Sequence, residues 1–145
     1  MTQVLVVDDE ISIREMLIEF LEDHGLSAEG AADGREAVTL AQVLKPRAIL
    51  LDIAMPGMNG IETLQELRRQ APGSAVIMIS GHADLKTALQ ALDLGAYDFI
   101  QKPLDFDYLE RTLITKIATL DPAGPHEAPK EHRDDATRLR GRRSR

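Results

Sequence analysis

The feature that most narrows the fold of this chain is an alternation of two hydrophobic periods. Continuous apolar runs suited to strands buried on both faces occur at Val4 to Val7, Ala48 to Leu51 and Ala75 to Ile79. A weaker strand is expected over Leu26 to Ala31, and a fifth over Tyr97 to Gln101. Between them lie stretches with apolar residues at helical spacing. Ile11 to His24 carries Ile13, Met16, Leu17, Phe20 and Leu21 on one face, and Gly34 to Leu44 carries Ala37, Val38, Leu40 and Ala41. Further helices are expected over Ile61 to Gln70, Asp84 to Leu94 and Asp105 to Leu120, the last with Asp105 or Asp107 as N-cap. Gly25 and Gly95 stop the first and fourth, because a residue without Cβ enters the left-handed region cheaply. Strand and helix thus alternate five times. The implied fold is α/β, a doubly wound, five-stranded parallel sheet with helices on both faces, and right-handed crossovers bring the carboxyl ends of the strands to one edge.

That edge collects the polar residues that close the apolar runs: Asp8 and Asp9, Asp52, Ser80, and Lys102 before Pro103. Capping of the first helix would account for one of the first two acids but not for the convergence of three. Three carboxylates repel one another unless a cation lies among them, and an all-oxygen donor set suits Mg²⁺. Asp52 follows four apolar residues, so a buried strand holds its backbone while the carboxylate projects at the edge. A carboxylate held this way can attack phosphorus and form an acyl phosphate. Lys102 and Ser80 could then neutralise or bond the equatorial oxygens. Gly81 leaves the approach open.

Composition removes several other chemistries. There is no cysteine, so disulfides and thiolate metal sites are excluded, and His24, His82, His126 and His132 form no close-spaced ligand pair. No apolar run is long enough to cross a bilayer and no cleavable leader pattern precedes the first strand, so a cytoplasmic location and no membrane partner are expected. Residues 1–120 hold 19 acids against 10 Lys and Arg, a poor match for nucleic acid. From Asp121 the helical and strand periods stop, and residues 121–145 are expected to be a disordered charged tail. Its Arg138, Arg140, Arg142, Arg143 and Arg145 suit either a solvated terminus or an electrostatic contact with an acidic partner or nucleic acid.

Taken in order, Val6-Val7-Asp8-Asp9-Glu10, Leu51-Asp52-Ile53-Ala54-Met55-Pro56-Gly57-Met58-Asn59-Gly60, Ile79-Ser80-Gly81-His82 and Gly95-Ala96-Tyr97-Asp98-Phe99-Ile100-Gln101-Lys102-Pro103 resemble the receiver domain of two-component response regulators. The resemblance covers Thr2 to about Leu120, so residues 1–120 are expected to form the domain. It implies a flavodoxin-like (βα)5 sheet with strand order 2-1-3-4-5. It also implies that Asp52 is the phosphoacceptor, served by a sensor histidine kinase or phosphotransfer protein. Asp9, Asp52 and the Ala54 backbone carbonyl would ligate Mg²⁺, with Asp8 acting through a bound water. Lys102 would contact the phosphate before a cis Pro103. Ser80 and Phe99 would form the switch pair, although an aromatic at Phe99 equally suits core packing; Phe99 stands where Tyr is common in the family. On the first helix, Ile13, Arg14 and Leu17 are candidates for the kinase contact, and the same apolar residues suit the core. The fourth helix, fifth strand and fifth helix would be the face that changes, pairing two copies on phosphorylation. Ala54 offers no polar side chain to orient an attacking water, which implies a long-lived phosphoryl group.

Details such as Ile79-Ser80-Gly81-His82-Ala83-Asp84 look most like receivers of nitrogen-regulation-type AAA+ activators, yet no Walker sequence or DNA-binding module follows Leu120. The chain is expected to be a stand-alone or phosphorelay receiver, the other reading being a fragment of a larger activator. Two alternatives differ in class. A haloacid-dehalogenase-type phosphatase would carry its nucleophile on the first strand, with a second Asp two residues on, and Ala54 holds that place after Asp52. A degenerate receiver serving only as a scaffold would have no need of the intact acids, Ser80 and Lys102.

Overall fold

The computed structural model describes residues 2–54, 59–81 and 85–120. Met55 to Met58, His82 to Asp84 and the charged tail lie outside the described residues, as do the expectations that fall on them. Five parallel strands, β1 (Val4–Val7), β2 (Ala28–Ala31), β3 (Ala48–Asp52), β4 (Ala75–Ser80) and β5 (Asp98–Gln101), form one sheet in the order β2-β1-β3-β4-β5. Helices α1 (Ile11–Asp23), α2 (Gly34–Leu44), α3 (Gly60–Gln70) and α4 (Leu85–Asp93) alternate with them. The last helix, α5, runs from Phe106–Leu109 through a π turn at Glu110–Ile114 to Thr115–Ala118. None of these helices is long and apolar enough to cross a membrane.

Because successive strand residues face opposite sides of the sheet, the apolar runs build two cores rather than one. Leu5, Val7, Ile49, Leu51, Val76 and Met78 pack with α2, α3 and α4, where Ala37, Ala41, Ala88 and Ala91 let the helices lie close. Val4, Val6, Leu50, Ile77, Ile79 and Ile100 pack with Leu17, Phe20 and Leu21 of α1 and with Leu109, Leu113 and Ile117 of α5. Nearly every one of these side chains is withdrawn from solvent. β2 is an edge strand with one neighbour, and its residues other than Ala31 remain partly exposed; it is shorter than its pattern predicts, starting at Ala28.

Helix ends follow local chemistry. Gly25 (φ 82°) and Gly95 (φ 103°) adopt the left-handed backbone that ends α1 and α4. Lys45 takes the same region (φ 48°) after α2, without a glycine. Asp33 caps α2 by accepting from the Glu36 amide, and Asp105 caps α5 by accepting from Tyr108. Asn59 and Glu62 form a reciprocal capping box that starts α3 at Gly60. The π turn in α5 has a packing reason. Leu109, Leu113 and Ile117 recur every four residues, a spacing that drifts about 40° per step around an ordinary α-helix. The wider π turn offsets that drift and keeps all three on the sheet.

Candidate functional site

The parallel register sets the acids beside one another. Val7 pairs with Leu51 and Asp52 with Ile79, so the turns after β1, β3 and β4 leave the same edge. Asp8 is 1% exposed and Asp52 4%, whereas Asp9 is exposed. One carboxylate oxygen from each lies within 4.8 Å of the others. Asp8 is tied down at several atoms: its amide donates to the Ala31 carbonyl at 3.1 Å, and its Oδ1 accepts from the Glu10 amide at 2.9 Å. The other oxygen, Oδ2, is buried and has no hydrogen-bond partner among the described residues. Burial therefore pushes the Asp8 carboxyl above the ordinary carboxylate range, and the neighbouring charges of Asp52 and Asp9 push the same way. The Glu10 amide and the Lys102 ammonium oppose that shift.

Asp52 ends β3 with both oxygens engaged. Its Oδ1 accepts from the Ala54 amide at 3.1 Å, and its Oδ2 lies 3.6 Å from Lys102 Nζ. Lys102 follows β5, with its amide donating to the Ser80 carbonyl at 2.8 Å, and the Lys102–Pro103 peptide is cis. Ser80 closes β4 fully buried, and its Oγ has no hydrogen-bond partner among the described residues. Ala54 is exposed beside Asp52. Phe99 is half-buried on β5 and packs against the α2–α3–α4 core. The sequence-predicted acids, Lys102 and Ser80 therefore meet at one edge, whereas Phe99 stands behind it on one face.

The α1 candidates separate. Leu17 is wholly buried in the α1–α5 core, so it is not available for contact with another protein. Ile13 is half-buried against that core. Arg14 turns back to its own chain, with its guanidinium donating to the Asp8 carbonyl at 2.7 Å. Sequence reasoning also missed Gly60, whose signal was its place after Asn59 at the start of α3. A Cβ there would stand 2.6 Å from Ile53 Cα, and its amide donates to the Ile53 carbonyl at 3.2 Å, so Gly60 packs directly against the backbone of the residue after Asp52.

The donor set fits a hard divalent cation. Three carboxylates converge, with the Lys102 ammonium 3.6 Å from one oxygen of Asp52, and the buried Asp8 Oδ2, unpartnered among the described residues, supplies an oxygen suited to a cation.

The fold and the sequence are both similar to those of known proteins. The nitrogen assimilation regulatory protein NtrX of Azorhizobium caulinodans is 42% identical over 118 residues, covering 77% of this chain and 26% of that protein. The receiver domain of NtrX from Brucella abortus superposes with a TM-score of 0.75 at 38% identity, over 81% of this chain and 99% of that one. The chemotaxis protein CheY4 of Vibrio cholerae gives a TM-score of 0.72 at 35% identity, covering 79% of this chain and 98% of that one. The first curated relatives are longer: this chain spans 26% of the NtrX protein and 23% of the regulatory protein AtoC of Escherichia coli. Residues 4–114 match the response regulator receiver domain, and the chain belongs to that family of two-component signalling domains.

Proposed function

We propose that Asp52 accepts a phosphoryl group from the phosphohistidine of a sensor histidine kinase or phosphotransfer protein, and that the chain then changes shape to control a partner. The observation that carries this reading is the setting of Asp52, a nearly buried carboxylate at the sheet edge with Lys102 3.6 Å away and two further acids beside it. As the P–O bond to Asp52 forms, the P–N bond of the donor breaks and the imidazole leaves. Asp8, Asp9 and Asp52, with the Ala54 carbonyl, would hold Mg²⁺, which when bound offsets the negative charge of the carboxylates and the incoming phosphoryl oxygens. The Ala54 amide orients one Asp52 oxygen, and Lys102 is placed to neutralise a phosphoryl oxygen. Ser80 carries the unpartnered hydroxyl that can bond another, and Phe99 behind it is the residue free to follow.

The chain acts as a switch domain rather than as an enzyme on external substrates, and it works in the cytoplasm, where its phosphodonor presents phosphohistidine. Its response is pairing of two phosphorylated copies through α4, β5 and α5. A small phosphodonor such as acetyl phosphate, with intact-mass measurement, tests the central step. One phosphoryl group should appear on the wild type, and none on Asp52→Ala or after Mg²⁺ is chelated. Incorporation that survives Asp52→Ala would refute the assignment, and steady turnover of phosphate esters would favour the phosphatase reading. Sedimentation of the phosphorylated protein at unchanged monomer mass would refute pairing.

A further inference from the structure

We infer that Arg14 is a positioning residue for the acidic edge, and that Gly30 on the neighbouring strand is the space it requires. This inference rests on the proposed cation site and adds to it a part that lies outside the acids themselves. Arg14 sits in the first turn of α1 and reaches back six residues to donate from its guanidinium to the Asp8 carbonyl at 2.7 Å. That carbonyl lies beyond the β1–β2 pairing, which ends at Val7 and Ala31. With the Asp8 amide on Ala31 and Oδ1 on the Glu10 amide, the Arg14 bond fixes a third atom of Asp8. The carboxylate oxygen that has no partner among the described residues, Oδ2, is thereby held beside Asp9 and Asp52.

The Arg14 stem passes over β2 where Gly30 pairs with Val6. A Cβ on Gly30 would stand 2.8 Å from Arg14 Cδ and 3.0 Å from Cγ, with Ile18 Cδ1 at 3.1 Å. Gly30 is not in the left-handed backbone region, so its conformation makes no demand for glycine. A glycine inside a strand weakens the strand and marks a close approach; here the approaching group is the arginine that holds Asp8. Arg14 meets Asp8 at its backbone carbonyl, so the contact acts on the course of the chain there.

Calorimetric titration of the full chain with Mg²⁺ alone tests this, with Arg14→Met, Gly30→Ala and the double variant compared to wild type. Loss of a group that orients a metal ligand typically weakens metal binding by about tenfold or more. Each single substitution should show that loss, although Gly30→Ala leaves the arginine and its charge in place. The double variant should bind no more weakly than Arg14→Met, because the added methyl acts only through Arg14. Thermal unfolding in chelator shows that each variant is folded, and Gly30→Ala alone carries the test if Arg14→Met does not fold. Wild-type affinity in Gly30→Ala, or losses that add in the double variant, would overturn the inference. Absence of Mg²⁺ binding by the wild type would instead overturn the proposed cation site.

Discussion

Replacing Asp8 by Asn should stabilise the cation-free protein while weakening its hold on Mg²⁺. Asp8 is 1% exposed, and its Oδ2 has no partner among the described residues. Its carboxylate lies within 4.8 Å of those of Asp9 and Asp52, and two unit charges at that separation repel by about 3 kcal/mol at an effective dielectric of ~20. Lys102 offsets part of this from 3.6 Å beyond Asp52. Asn keeps an acceptor for the Glu10 amide and turns an N–H₂ group toward the remaining carboxylates. A gain of about 1 to 3 kcal/mol is expected, in the range of the cost of an unsatisfied buried group. For a chain near this size each kcal/mol moves the midpoint by roughly 2 to 4 °C.

The pH dependence has a definite sign. A carboxyl whose pKa is raised on folding binds its proton more tightly in the native state than in the unfolded chain. The wild type therefore has its full Asp8 contribution below the ordinary carboxylate range and loses it as pH climbs through the raised native value. Thermal unfolding in chelator across that range should show Asp8→Asn and wild type nearly level in acid and diverging toward neutral pH. Saturating Mg²⁺ should narrow or reverse the gap. Equal midpoints at neutral pH in chelator, or a gain that does not change with pH, would refute the reasoning.

Gly60→Ala should cost about 1 to 3 kcal/mol by overpacking, because the new methyl meets Ile53 backbone at 2.6 Å; it should also weaken Mg²⁺ binding by displacing Ile53, the residue next to Asp52, and unchanged unfolding and affinity would count against both effects. Lys116→Met removes the ammonium 2.5 Å from the buried Asp98 carboxylate and should cost about 3 kcal/mol in chemical denaturation, most of it recovered in the Asp98→Asn, Lys116→Met double variant. Ala54 beside Asp52 offers no polar side chain to orient water for hydrolysis, so the acyl phosphate should persist for minutes or longer in Mg²⁺ buffer, and decay within seconds would contradict this.

What was legible in the sequence was whatever depended on neighbours along the chain. Gly34–Leu44 is helical from end to end, as its apolar spacing predicts, and Gly25 and Gly95 end their helices because the left-handed turn is local chemistry. The meeting of Asp8, Asp9, Asp52, Ser80 and Lys102 at one edge was also legible, since each closes a strand of a parallel sheet. The Asn59–Glu62 capping box was readable and was overlooked, which placed the start of α3 one residue late. Other features were hidden because they join distant segments. Nothing near Arg14 shows that its stem will cross Gly30, and nothing near Gly60 shows that Ile53 will press against it. Lys45 adopts a left-handed turn that its residue type does not announce. The π turn of α5 left a trace in the four-residue spacing of Leu109, Leu113 and Ile117, but that spacing also suits an ordinary amphipathic helix.

The division of the interior into two cores bears on how such a chain can change over generations. The sheet is a shared wall: Val6 and Leu50 belong to one side, Val7 and Leu51 to the other, and among the described residues no helix contributes to both. Substitutions on α1 and α5 can therefore be accommodated by side chains on their own side, leaving the alanine-rich packing of α2, α3 and α4 undisturbed. Effects on stability from opposite sides should add, because such residues share no direct partner. Exposed positions on α1 could thus diverge between duplicated copies while the side that carries Phe99 keeps its packing. The strand ends carry the acids, Ser80 and Lys102, so a change there touches the site as well as the packing.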